Sequence, residues 1–121
     1  METTNAVEAL AALAQENRLE IFRLLVQAGP EGMAAGQVAE KLSLAPNTLT
    51  FHFDRLRFAG LVTVRRDGRS MIYAARYEAM NGLVSFLTEN CCQGASSCAP
   101  VAVCKPKGVP YEAYARARRR G

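Results

Sequence analysis

The run Ser43-Leu44-Ala45-Pro46-Asn47 constrains this chain more than any other, because no regular helix passes through it. Proline lacks an amide proton and clashes with a preceding helical turn, so Pro46 fits only the first turn of a new helix, where the missing proton costs nothing. Apolar spacing on the two sides then predicts two short helices. One runs from about Ala35 to Leu42 with Val38, Ala39 and Leu42 inward, and the other starts at Pro46 and stops at Gly60. Two such helices across a turn of about four residues form a helix-turn-helix.

The flanking segments extend the pattern. Residues 5 to about 28 read as helical with a break near Glu16-Asn17: Val7, Leu10, Ala11 and Ala14 share one spacing, and Leu19, Phe22, Leu25 and Val26 share a second. Gly29-Pro30-Glu31-Gly32 ends that pair. After Gly60, β-branched and aromatic residues on both sides of Asp67-Gly68 predict a hairpin on a two-residue turn, which in this position is a wing. A last helix from Tyr77 to about Asn90 aligns Met80, Leu83, Val84 and Leu87 in a stripe. The fold class expected is mainly α with a small β-hairpin, a winged helix-turn-helix. Residues 1–92 are expected to form that domain, and residues 93–121 a cysteine-containing, partly disordered basic tail. A chain of 121 residues, half of them hydrophobic, buries one modest core. No basic n-region precedes an apolar run and no apolar stretch is long enough for a membrane span, so a cytoplasmic protein with no membrane partner is expected.

Charge is concentrated where the helix-turn-helix meets the hairpin. Residues 1 to 54 hold three Lys/Arg against seven Asp/Glu, whereas residues 55 to 76 hold six arginines against Asp67 alone. A local positive block of this kind is the footprint of a surface that meets phosphates. On the second helix, Leu49, Phe53 and Leu56 share the face that must be buried, which leaves Asn47, Thr48 and Phe51, then Arg55, on the other. Asn and Thr hydrogen-bond to base edges, an exposed aromatic packs on a thymine methyl, and arginine reaches a phosphate or a guanine. The expected DNA-binding set is Asn47, Thr48, Thr50, Phe51, His52 and Arg55 on the helix, with Arg65, Arg66 and Arg69 bracketing the hairpin turn. The competing assignments are structural: Phe51 in a satellite core, Thr48 as a helix starter, and the arginines as charges guarding an edge strand. His52, about 60° from the buried face, is expected to be a packed and partly hydrogen-bonded ring.

All four cysteines lie between residues 91 and 104, too close together to staple distant segments, so the cluster points to metal binding or redox sensing. An enzyme is not indicated. The cysteines lack C-x-x-C spacing, and the single histidine has no nucleophile near it in sequence.

The order of elements and two blocks, ALAQENRLEIFRLL and TLTFHFDRLRFAGLV to GRSMIY, resemble the ArsR/SmtB family of metalloregulatory repressors over about residues 5 to 92. The resemblance implies a homodimer on a palindromic double-stranded operator that departs when an inducing ion binds. It also implies pairing of the first and last helices across the two-fold axis, with Val7, Leu10, Met80, Leu83, Val84 and Leu87 as the dimerisation residues. The segment LTENCCQGASSC is similar to the arsenic-responsive subgroup with a vicinal cysteine pair after the last helix, which assigns the metal site to Cys91, Cys92 and Cys98. Trivalent arsenic keeps a lone pair and takes three thiolates, whereas zinc takes four ligands. No constitutive cofactor is expected, and trivalent arsenic is the expected inducer. Antimonite, an organoarsenical, zinc or cadmium, and thiol oxidation stand as alternatives, and Cys104 is taken as a dispensable thiol.

Overall fold

The computed structural model describes residues 1–91. In chain order the elements are α1 (Thr3–Leu13), α2 (Glu16–Ala28), β1 (Met33–Ala34), α3 (Ala35–Leu42), α4 (Pro46–Phe58), β2 (Val62–Asp67), β3 (Ser70–Ala75) and α5 (Tyr77–Leu87). The three strands form an antiparallel sheet in the order β1-β3-β2. Together these elements are a winged helix-turn-helix, mainly helical with a small sheet.

The break in the first helical segment falls where the sequence places it. The Gln15 side chain accepts from the Arg18 amide over 2.9 Å and so starts α2 as its N-cap. The turn between α3 and α4 is closed by two bonds, from the Leu44 amide to the Ala39 carbonyl (3.0 Å) and from the Ser43 amide to the Glu40 carbonyl (3.4 Å). This is the Schellman arrangement, and it places Ser43 in the left-handed region at φ 54°. Pro46 then opens α4, and a second Schellman closure ends it. The Leu61 amide bonds to the Leu56 carbonyl (3.0 Å), the Gly60 amide bonds to the Arg57 carbonyl (2.9 Å), and Gly60 takes φ 77°.

Leu49, Phe53 and Leu56 of α4 are buried against Ile21, Phe22 and Leu25 of α2, with Val38, Leu61 and Val62 completing the centre. The Phe53 ring stacks on Tyr73 of β3 with centroids 3.6 Å apart, which fastens α4 to the sheet. Tyr77, the first residue of α5, donates its hydroxyl to the Val26 carbonyl over 3.0 Å and holds the end of α2.

Four features differ from the sequence expectation. Strand β1 is additional, a two-residue strand whose Met33 and Ala34 face Tyr73 and Ile72. The hairpin turn is displaced by one residue: Asp67 pairs with Ser70, so its central residues are Gly68 and Arg69, with the positive φ of 62° on Gly68 alone, as in a type II′ turn. Helix α5 stops at Leu87 instead of about Asn90. Asn90 itself adopts φ 56°, so Cys91 does not extend the apolar stripe of α5 by a further turn. On α1 the buried residues are Ala6, Ala9 and Ala12, and Val7 and Leu10 face outward.

Candidate nucleic-acid interface

Burial of Leu49, Phe53 and Leu56 fixes the rotation of α4 and so decides what its opposite face presents. Asn47, Thr48, Thr50, Phe51 and Arg55 are all exposed, with Phe51 at 57%. The Thr50 hydroxyl donates to the Pro46 carbonyl over 3.0 Å, which leaves its oxygen free to accept only. At 100° per residue, Asn47, Thr48, Phe51, Arg55 and Phe58 fall within a sector of about 100°. Phe58 is 79% exposed, and the Arg57 guanidinium lies 5.6 Å from its ring centroid while also reaching Asp54 at 3.6 Å. Arg57 and Phe58 were not singled out in the sequence. The available signal was a second phenylalanine seven residues after Phe51, two helical turns on and therefore on the same side.

His52 is the correction to the expected reading set. Its ring is only 5% exposed and lies on the inner side of α4, with Nδ1 3.4 Å from a terminal nitrogen of Arg18. A ring so placed cannot touch a base edge; it is the packed, hydrogen-bonded histidine that the helical angle suggested. Burial, and secondarily the positive charge of Arg18, hold its pKa below the ordinary imidazole value.

The wing carries its three arginines at the surface, but two are engaged. Arg65 donates to the Glu31 carbonyl over 2.9 Å and ties the wing to the loop before β1. Arg66 donates to the Gly68 carbonyl over 3.2 Å and steadies the turn. Arg69, a central turn residue, is exposed with no bond to it among those described. Arg76 adds a contact that the charge count did not single out, donating to the Gly60 carbonyl at 3.3 Å just beyond α4.

On the other side of the molecule, Val7 and Leu10 of α1 and Leu87 of α5 are exposed, and Met80 and Val84 are half-buried. Leu83 is buried inside the protomer, so it supports that face from beneath instead of presenting itself to a partner. A cavity of about 280 Å³ opens between α2 and α5, lined by Leu19, Phe22, Val26, Met80, Leu83 and Val84 among others. Cys91 is exposed just past α5; Cys92, Cys98 and Cys104 lie outside the described residues. Among the described residues no three His, Cys, Asp or Glu side chains gather to hold a metal ion, and no helix is long and apolar enough to cross a membrane.

Comparison with known proteins agrees with this geometry. A family model described as a helix-turn-helix domain matches residues 13–65. The chain is 40% identical over 65 residues to the uncharacterised HTH-type transcriptional regulator YceK of Bacillus subtilis, a match covering 54% of this chain. It spans 64% of YceK and 63% of the nodulation protein NolR of Rhizobium meliloti, less than two thirds of either. Among solved structures, NolR from Sinorhizobium fredii superposes with a TM-score of 0.57 at 33% identity, covering 71% of this chain and 83% of that one. An ArsR-like transcriptional regulator from Rhodococcus superposes with a TM-score of 0.61 at 27% identity, covering 69% and 76%. The fold, the matched helix-turn-helix and these relatives place the chain in one family: it belongs to the helix-turn-helix transcriptional regulators of the ArsR-like winged-helix type.

Proposed function

We propose that this chain is a DNA-binding transcriptional repressor that acts as a homodimer on a palindromic double-stranded operator, with α4 in the major groove and the wing along the backbone. The observation that carries the reading is the outer face of α4. A solvated helix has no use for a phenylalanine at 57% exposure between polar residues, whereas a groove offers it a thymine methyl. Asn47, Thr48 and Arg55 supply hydrogen bonds beside it, and Arg69 with the engaged Arg65 and Arg66 supplies charge for phosphates. Dimerisation is supported by Val7, Leu10 and Leu87, which one protomer leaves in water. A two-fold pair would set two reading helices about one DNA turn apart.

The finer reading is that trivalent arsenic, bound through Cys91, Cys92 and Cys98, releases the operator. It is supported by the spacing of three thiols in eight residues and by the position of Cys91, exposed after a helix that has already ended. Three sulfurs satisfy an ion that takes three ligands, whereas zinc takes four.

The test is selection of duplexes from a random pool, followed by anisotropy with the selected sequence. Recovery of a two-fold repeated sequence, and a changed preference for Phe51→Ala, is the expected result; no enrichment over the starting pool overturns the reading. Arsenite, zinc, cadmium and a mild oxidant are then added to the complex. Release by arsenite that disappears in the Cys91→Ser/Cys92→Ser variant supports the arsenic assignment. Release by another agent alone reassigns the thiols, and no release by any of them removes them from the mechanism.

A further inference from the structure

Arg18 uses its side chain twice. Its Nε donates to the Ala12 carbonyl in the last turn of α1 over 2.7 Å, and a terminal nitrogen lies 3.4 Å from Nδ1 of His52 on α4. Its backbone amide is the one that Gln15 caps at the start of α2. A single residue therefore joins the end of α1, the start of α2 and the inner side of the helix that reads DNA. The His52 ring in turn meets the exposed Phe51 ring edge-on, with centroids 5.7 Å apart.

A guanidinium can only donate, so Nδ1 must accept, and the neutral ring carries its proton on Nε2. A second proton, placed on Nδ1, would remove the acceptor and set two cations against each other at a ring only 5% exposed. On the other elements packed against α4, Glu8 of α1, Glu40 and Lys41 of α3 and Asp67 of β2 are exposed, Arg65 and Arg66 of β2 are held by the Glu31 and Gly68 carbonyls, and Tyr73 of β3 stacks on Phe53. On α2, Glu16, Glu20 and Arg23 are exposed as well, and on α4 Arg55 is exposed while Asp54 pairs with Arg57. Among the described residues Arg18 is thus the charge that acts on the ring.

We propose that Arg18 is a positioning residue for the reading helix: it ties α4, through neutral His52, to the end of α1, and protonation of His52 undoes the tie and the sequence-specific grip on DNA. The inference rests on the DNA-binding reading above. Because the folded ring titrates below its ordinary value, the unfolded chain binds the proton more readily. The tie therefore contributes fully above the unfolded value and is lost as pH falls through the folded one. The expected direction is opposite to simple electrostatics, since one more positive charge strengthens attachment to a polyanion.

The full chain carries a single histidine, so one imidazole resonance reports the titration directly. Affinity for a selected duplex and for a scrambled one would be measured at constant ionic strength from about pH 8 down to about pH 5, beside proton NMR of that ring. Affinity for the selected duplex is expected to fall about tenfold in step with the ring, while affinity for the scrambled duplex does not fall. Arg18→Lys keeps the charge but cannot span both acceptors with one nitrogen, and is expected to lose about tenfold on the selected duplex alone at the upper pH. Arg18→Gln is expected to move the ring's titration upward. A selected-duplex affinity that stays level or rises as the ring protonates overturns the proposal, and so does an Arg18→Lys variant that binds like the parent. If Arg18→Lys does not fold, the pH series on the parent decides. If no duplex can be selected, the DNA-binding reading fails by itself, and a ring titration unmoved in Arg18→Gln separately overturns the tie.

Discussion

The unit formed by α3, α4 and the wing, and the layer formed by α1 and α5, are built on opposite principles. In the first, large side chains are consumed internally: Phe53 stacks on Tyr73, Leu49 and Leu56 are buried, and the C-terminal ends of α3 and α4 are closed by backbone bonds. In the second, α1 buries only alanines and leaves Val7 and Leu10 in solvent, and α5 ends with Leu87 59% exposed. One region is complete within a protomer. The other has apolar surface left over, at about 25 cal/mol for each Å² that a second copy would cover.

The sharpest way to break this contrast is to remove its anchor. Phe53→Ala deletes a fully buried ring and is expected to lower unfolding free energy by about 3–5 kcal/mol, read by urea denaturation. A loss below about 1 kcal/mol would show that the reading unit is less tightly packed than its contacts indicate. Next in size is Leu10→Glu, which is expected to change protomer stability by less than about 0.5 kcal/mol while weakening self-association by about 2–3 kcal/mol, measured by sedimentation. Unchanged self-association would move the contact away from α1. Tyr77→Phe removes the hydroxyl bond that fastens α5 to the end of α2 and is expected to cost about 1 kcal/mol. Smallest is Ser43→Gly: relief of the left-handed serine is expected to raise stability by about 0.5–1 kcal/mol, seen as a higher melting temperature.

The parts legible in the sequence are those fixed by local chemistry. Pro46, Gly60 and the break before Glu16 mark helix ends because each solves a backbone problem within a few residues. The inner face of α4 follows from periodicity alone. Strand β1 was not legible, because two residues carry no period and Met33 and Ala34 are strand only through their pairing with β3. Gly32 shows how close that pairing is: a Cβ there would collide with the Tyr73 carbonyl oxygen. The hairpin turn moved by one residue because Asp-Gly and Gly-Arg both satisfy a two-residue loop, and cross-strand register chose between them. The outer face of α4 is legible as far as Arg55 and not to Phe58, which is the last residue of the helix, where its facing depends on how the chain leaves at Gly60. The sequence fits His52 to both a reading and a packing role, and its burial against Arg18 of α2, distant in sequence, separates them.

The alanine seat of α1 has a mechanical consequence. Methyl groups have no rotamers to reset, so Ala6, Ala9 and Ala12 offer a smooth bearing over which a helix can shift sideways at little cost. Arg18 pins that helix at Ala12, near its far end, which converts any sliding into a swing about a fixed pivot. A small displacement of one copy against the other would then be magnified towards Thr3, like the tip of a lever.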